Sequence, residues 1–270
     1  MIDLVICVRC HKDPALIMDT IDSVRANVDL DQTAVFAAVD GRPKLAEKLG
    51  SFGIDTFCSS NAMGWGAGLF TLLCESILYS QQVYGFTHFL TIDYDTLFLR
   101  PGVDDLFLKR IDDTDIGLLG HCIPDNNHWK VIFGKEKDRI AATLGPIPET
   151  YKPGEGVQGG CMCLTQALID WMSENGFFGM PKVLSKGYTT IADDHFISLV
   201  SRYAGLEIME MGGALCCGWK PKGDPRGMEE KGVKVFHPIK MVTAFGAHSR
   251  STELELRNYF RELRGRGPLL

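Results

Sequence analysis

The apolar positions of the first sixty residues follow an alternating rhythm. Leu4 to Val8 is a short unbroken apolar run, as in a strand covered on both faces. Ile17, Ile21, Val24 and Val28 then recur at helical spacing, behind Asp13, which can cap, and Pro14 at the first helical position. Ala34 to Val39 reads as a second buried strand ending at Asp40-Gly41. A short helix over Lys44 to Leu49 leads to a third strand, Ile54 to Cys58. This β-α-β-α-β alternation predicts an α/β fold with a mostly parallel central sheet and helices on both faces. A long helix, about Leu69 to Tyr84, carries Leu69, Leu72, Leu73 and Ile77 on one side. It precedes a buried strand, His88 to Ile92, and a second apolar run, Leu97 to Leu99, that stops at Pro101-Gly102.

After Asp104 the pattern is mixed. Strands are predicted over Ile116 to Leu119, Val157 to Thr165 and Val233 to His237, and helices over Gln166 to Glu174 and Ala192 to Val200. Residues 121–157 are polar and proline-bearing, with a helix near Lys135 to Leu144. They are the segment expected to face a second substrate. Ser251 to Arg264 forms an amphipathic helix with Leu256, Tyr259, Phe260 and Leu263 on its apolar face and Thr252 with Glu255 as a capping box. No repeat or linker interrupts the chain. One domain over 1–270 is expected: a nucleotide-binding half over 1–100, an acceptor-side half over 101–240, and the C-terminal helix over 241–270.

Charge and cysteine usage narrow the class. A net charge of −6 argues against a protein that coats nucleic acid. The nine cysteines are an odd number, scattered through apolar runs. They suit reduced core thiols rather than a disulfide framework or a zinc site. The start, Met1 to Arg9, lacks the basic beginning and long apolar core of a signal peptide. No stretch reaches the ~20 apolar residues that span a bilayer. A soluble, cytoplasmic protein is the expectation.

The candidate chemistry lies where strands end. Asp93-Tyr94-Asp95 closes the His88–Ile92 strand. Two carboxylates there are costly without a compensating cation, and a divalent ion with oxygen ligands supplies one. Asn61 to Gly68, with Gly64 and Trp65, opens the long helix, and glycines at a helix N-terminus let the backbone approach an anion. Arg9 to His11, Asp40, Asn61 to Gly68 and Asp93 to Asp95 all fall at the carboxyl edge of the predicted sheet, where open α/β sheets bind ligands. Asp193 and Asp194 stand in the first turn of a helix, where plain capping of the helix dipole is the alternative reading. The Gly/Pro-rich stretch 218–232, with four basic side chains, is either a lid over phosphates or a solvated loop.

The order of these features resembles a GT-A-type glycosyltransferase, over residues 1 to about 240. Asp93-Tyr94-Asp95 is similar to the D-x-D motif of that fold, and the opening β-α-β with Asp40 to its nucleoside-holding half. Gly159-Gly160 resembles the small-residue step under the donor sugar. Asp193-Asp194 resembles the acidic pair, often Glu-Asp, of inverting members. His237 resembles the third metal ligand, with Lys240 within reach of the diphosphate. The resemblance implies Asp93, Asp95 and His237 around Mn²⁺ or Mg²⁺, the imidazole favouring Mn²⁺. Placement at the sheet edge gives Arg9, His11, Asn61, Gly64 and Trp65 as donor contacts, and the resemblance adds Asp40, Asp93, Gly159, Gly160 and Lys240, with further charge from Arg226. The donor is a nucleoside-diphosphate sugar, UDP-linked by default. The acceptor hydroxyl belongs to a glycan, a small molecule, a protein or a modified DNA base.

In that reading Asp194 deprotonates the acceptor and the anomeric centre inverts, His195 being a less favoured base. A retaining enzyme is the near alternative, because His237-Pro238-Ile239-Lys240 also resembles the ending of some retaining members. Asp193 and Asp194 would then hold the donor sugar. A sugar-phosphate nucleotidyltransferase expects a glycine-rich basic loop after the first strand, and Arg9-Cys10-His11-Lys12 lacks the glycines. A non-catalytic nucleotide-binding module would have no need of Asp194.

Overall fold

A computed structural model describes residues 2–62, 64, 67–109, 115–179, 191–217, 225–241 and 250–269. The first half alternates as its apolar rhythm requires. β1 (Ile2–Cys10), α1 (Pro14–Arg25), β2 (Thr33–Val39), α2 (Pro43–Ser51) and β3 (Thr56–Cys58) are followed by α3 (Ala67–Val83) and β4 (Phe86–Asp93). After a turn come β5 (Leu97–Phe98), α4 (Val103–Leu108), β6 (Ile116–Ile123), α5 (Asn127–Leu144), β7 (Gly156–Thr165) and α6 (Gln166–Glu174). The chain ends with α7 (Asp193–Tyr203), β8 (Glu207–Glu210), β9 (Leu215–Cys217), β10 (Val235–His237) and α8 (Arg250–Leu263).

The main sheet runs β3-β2-β1-β4-β7-β6-β8. Strands β1 to β4 are mutually parallel where they pair, β7 runs antiparallel to both β4 and β6, and β8 is parallel to β6. The sheet is therefore mostly parallel. It is buried on both faces, and alternate residues of β1 enter opposite cores. Val5 and Cys7 pack with α3, α6 and α7 on one side; Leu4, Ile6 and Val8 pack with α1 and α2 on the other. β1 has β2 on one flank and β4 on the other, so the strand order reverses at its carboxyl end. Ligands of open α/β sheets bind at such a point.

A second sheet, β5-β10-β9, stands beside this edge, with β10 antiparallel to β5 and parallel to β9. It brings His237, the last residue of β10, to the turn that joins β4 to β5.

Several local expectations change. β8 and β9 are strands that the apolar pattern does not announce: β8 begins and ends on exposed Glu207 and Glu210, and β9 has three residues. α5 starts eight residues before the expected Lys135, because the Asn126 side chain caps it by accepting from the His128 and Trp129 N–H groups. Asp13 precedes α1 in a left-handed conformation (φ 48°) and makes no side-chain cap bond, so Pro14 alone marks that start. α8 begins at Arg250, which puts Thr252 inside the first turn rather than at the cap of a capping box. Among the described residues no helix is long and apolar enough to cross a membrane.

Candidate active site

The site grows from the end of β4. Asp93 is its last residue, Tyr94 turns the chain, and Asp95 begins the descent into β5. Asp95 is fully buried. The Thr96 hydroxyl donates to the Gly160 carbonyl at 2.8 Å, fastening the turn to β7. Gly159 and Gly160 lie just past the Ile92–Cys161 pairing of β4 with β7, so they sit beside the turn. A Cβ on Gly160 would meet His237 ring atoms at 1.9–2.2 Å, and one on Gly159 would meet Asp194 Cβ at 2.9 Å. Glycine at both positions is thus a requirement of packing: it lets an imidazole and a carboxylate lie directly on the strand backbone.

His237 Nε2 is 3.5 Å from Asp93 Oδ2 and 3.6 Å from Asp95 Oδ1. One ligand atom from each residue falls within 4.8 Å of the other two. Burial alone would lower the imidazole's pKa, but the Asp95 and Asp93 carboxylates outweigh it and push it up to about 10. Burial would raise the Asp95 carboxyl, yet His237 and Lys240 hold it well below the usual carboxylate range. Neither oxygen of Asp95 meets a well-aligned hydrogen-bond donor, although both are buried. Lys240 Nζ stands 2.9 Å from Asp95 Oδ2, an ion pair without that alignment. Two carboxylates and an imidazole converging on one point, with under-satisfied oxygens, is a donor set that fits a hard or borderline divalent cation such as Mg²⁺ or Mn²⁺.

Arg9 departs from its expected role. Expected at the nucleotide, it has a side chain only 4% exposed, and both of its terminal nitrogens meet groups of the protein. Its Nη1 donates to Asp193 Oδ2, and its Nη2 donates to the Gly159 carbonyl at 2.6 Å and stands 2.9 Å from Asp93 Oδ1. Arg9 therefore ties the first acid of the turn to the first acid of α7. Burial works against both carboxyls; Arg9 wins at Asp93, whose pKa is lowered, but not at Asp193, whose pKa stays raised.

Among the described residues no such cation pairs with Asp194. One oxygen accepts from the Gly159 N–H at 3.2 Å and the other from the His195 N–H at 2.8 Å. Burial, and then the neighbouring Asp193, push its carboxyl up to about 7. His195 belongs to the core. Its ring stacks on Trp129, with centroids 5.0 Å apart and planes 8° from parallel, and Nε2 meets the Tyr151 hydroxyl. Burial lowers its pKa to about 4, so it is a neutral ring at neutral pH.

The remaining candidates spread around this centre. Asp40 is buried and Oδ2 accepts from the Gly64 N–H at 2.9 Å, so that oxygen holds the glycine-rich loop. Gly41, at φ 57°, allows the loop to pass, since a Cβ would meet the Asn61 and Ala62 backbone at 2.0–2.4 Å. Asn61 is exposed and touches Ser60. His11 is exposed and lies edge-on to Tyr94 with centroids 4.9 Å apart, while Lys240 lies over the Tyr94 ring at 5.4 Å. The Arg226 carbonyl accepts from the Tyr259 hydroxyl of α8 at 3.4 Å. Trp65 and residues 218–224 of the basic stretch fall outside the described residues. Three participants carried no sequence signal. They are Trp129 and Tyr151, which frame His195, and Arg257, which reaches the turn from the far end of the chain.

No protein-family model matches the chain, and no curated protein matches its sequence. Solved structures do share its architecture. A glycosyltransferase involved in glycosylation of the major capsid of PBCV-1 aligns over 96% of this chain and 99% of its own, at 11% identity and a TM-score of 0.50. Mouse xyloside xylosyltransferase 1 aligns over 88% of this chain and 98% of its own, at 11% identity and a TM-score of 0.47. The WbbM bifunctional glycosyltransferase aligns over 98% of this chain at 10% identity and a TM-score of 0.49, and the chain spans 52% of that protein. At 11% identity the likeness to the first of these concerns the fold: a GT-A-like α/β architecture that this chain shares with it.

Proposed function

We propose that this chain, built on a fold used by solved glycosyltransferases, is a metal-dependent glycosyltransferase that moves a sugar from a nucleoside-diphosphate sugar to an acceptor hydroxyl. One observation carries the reading: Asp93, Asp95 and His237, from two different sheets, converge within 4.8 Å at the carboxyl edge where the strand order reverses. Mn²⁺ or Mg²⁺ held there supplies Lewis-acid stabilisation of the leaving diphosphate. UDP is the default nucleotide.

The chain's own groups divide the remaining work. Gly159 and Gly160 keep the strand surface free of side chains beside both acids and the imidazole. Lys240 stands 2.9 Å from Asp95 with part of its side chain exposed, and on leaving Asp95 it can meet a phosphate. Arg9 pairs with Asp193, whereas among the described residues Asp194 is met by two backbone N–H groups and no cation. A carboxyl whose pKa stands about 7 is matched to proton abstraction near neutrality, so Asp194 takes the acceptor's proton and the anomeric carbon inverts.

The test is thermal stabilisation by nucleoside diphosphates with and without Mn²⁺, on the wild type and on Asp95→Asn. A ligand selective for the folded state raises Tm by mass action. Stabilisation by one nucleotide only with metal, lost in Asp95→Asn, supports the donor site and identifies the base. No stabilisation by any nucleotide under either metal rejects it. The anomeric configuration of the product, read by NMR, then decides between inversion and retention.

A further inference from the structure

We infer that Arg257 is a positioning residue for the Asp93-Tyr94-Asp95 turn, and that α8 thereby belongs to the metal site; this rests on the metal-site reading above. Arg257 is fully buried. A guanidinium removed from water is tolerated only when its donors are paired, and here each direction of the fork has an assignment. Nε donates to Glu253 Oε1 at 3.0 Å, one turn back on α8. Nη1 donates to Asp19 Oδ2 of α1 at 2.8 Å. Nη2 donates to the Tyr94 carbonyl at 3.1 Å. Asp19, also fully buried, pairs in addition with Arg261 of α8 and with Arg264 just after it, so three arginines clamp this end of the chain to α1.

The Tyr94 carbonyl receives a second donor, the Thr20 hydroxyl of α1. Two donors on one carbonyl fix the plane of the peptide between Tyr94 and Asp95. That peptide separates the two acids whose side chains converge with His237. The next carbonyl, of Asp95, accepts from Ile239 N at 2.9 Å, two residues after His237. The backbone of the turn is thus held from behind by α8 and α1 and from the front by the segment that carries the imidazole. Groups that orient metal ligands influence affinity nearly as directly as the ligands do. Arg257 has no route to a substrate itself, and acts through the backbone.

The experiment titrates Mn²⁺ alone into the full chain by EPR, on the wild type, Asp95→Asn, Arg257→Lys, Thr20→Val and Leu256→Ala. Leu256 is buried on the same helix in a separate apolar cluster with Phe236 and Phe260, and serves as a control for weakened α8 packing. Arg257→Lys is expected to weaken Mn²⁺ at least tenfold, because one ammonium cannot serve three elements. Thr20→Val, a gentler change, is expected to weaken it about threefold. Leu256→Ala should lower Tm and leave the affinity within twofold. If Mn²⁺ binds the wild type and not Asp95→Asn, while Arg257→Lys and Thr20→Val bind as the wild type does, Arg257 is structural and the inference fails alone. If Arg257→Lys does not fold, Thr20→Val decides. If the wild type binds no Mn²⁺, the metal reading and this inference fall together.

Discussion

The imidazole of His237 occupies the space that a side chain at residue 160 would need: a Cβ on Gly160 would lie 1.9 Å from His237 Cε1. The two residues come from different sheets, and the absence of one side chain sets the position of the other. Gly160→Ala must therefore displace the ring or the strand. Overpacking of this kind costs about 1–3 kcal/mol. The displaced imidazole no longer converges with Asp93 and Asp95. We expect Mn²⁺-dependent stabilisation by nucleotide to disappear and turnover to fall by about 100-fold, within the range seen when groups supporting a metal site are altered. Thermal shift and initial rates check both. A Gly160→Ala protein with wild-type metal response would show that the ring is not a ligand.

Asp194→Asn tests the base. The amide keeps the volume but cannot accept a proton, so kcat should fall by about 10²- to 10⁴-fold, with KM little changed. In the wild type the base works only when ionised. With its carboxyl pushed up to about 7, kcat/KM should fall about tenfold per pH unit below that value. Initial rates from pH 5 to 9 report the limb. A profile flat through pH 7, with activity retained in Asp194→Asn, would favour the retaining alternative, where no such base is required.

Much of this organisation is legible in the chain before folding. The run Leu4–Val8 and the helical spacing of Ile17, Ile21 and Val24 depend only on neighbours in sequence, and they return as β1 and α1. Asp93 and Asp95 are readable because they terminate a buried strand. Arg9 is different: its partners Asp193 and Gly159 lie more than a hundred residues away, and nothing local distinguishes an arginine that meets a phosphate from one that bridges two acids. β9 escapes for a related reason. Three residues have no period, and Leu215–Cys217 is a strand because β10 lies beside it. Arg257 in sequence is one more charge on an amphipathic helix, and only α1 and the turn make it a buried one.

Arg9→Met would leave buried Asp193 and half-buried Asp93 without the cation between them. Breaking a buried pair by removing one partner costs about 3–5 kcal/mol. Urea denaturation should show a loss of that order at pH 7. The loss should shrink in acid, because both carboxyls can then be protonated. Arg9→Lys should recover part of it, since an ammonium carries the charge but cannot reach Asp93, Asp193 and the Gly159 carbonyl together.

His195 gives a pH dependence of stability that its geometry makes separable. In the unfolded chain its pKa is near 6.5, and burial lowers it to about 4 in the folded protein. Between those values the unfolded state binds the proton and the folded state does not, so acid favours unfolding. The neutral ring's contribution is complete above pH 6.5 and is lost as pH falls toward 4, up to about 3 kcal/mol in all. His195→Phe keeps the stack on Trp129 but cannot titrate, and it deprives the Tyr151 hydroxyl of its partner. The variant should be less stable than the wild type at pH 8, by about 1–3 kcal/mol for the unpaired hydroxyl. That deficit should narrow steadily between pH 6.5 and 4 as the wild type loses its histidine term. Other carboxyls titrate in both proteins and cancel in the difference. Urea midpoints measured at intervals across that range give the curve directly, and a difference that does not change with pH would mean that folding leaves the proton affinity of His195 unaltered.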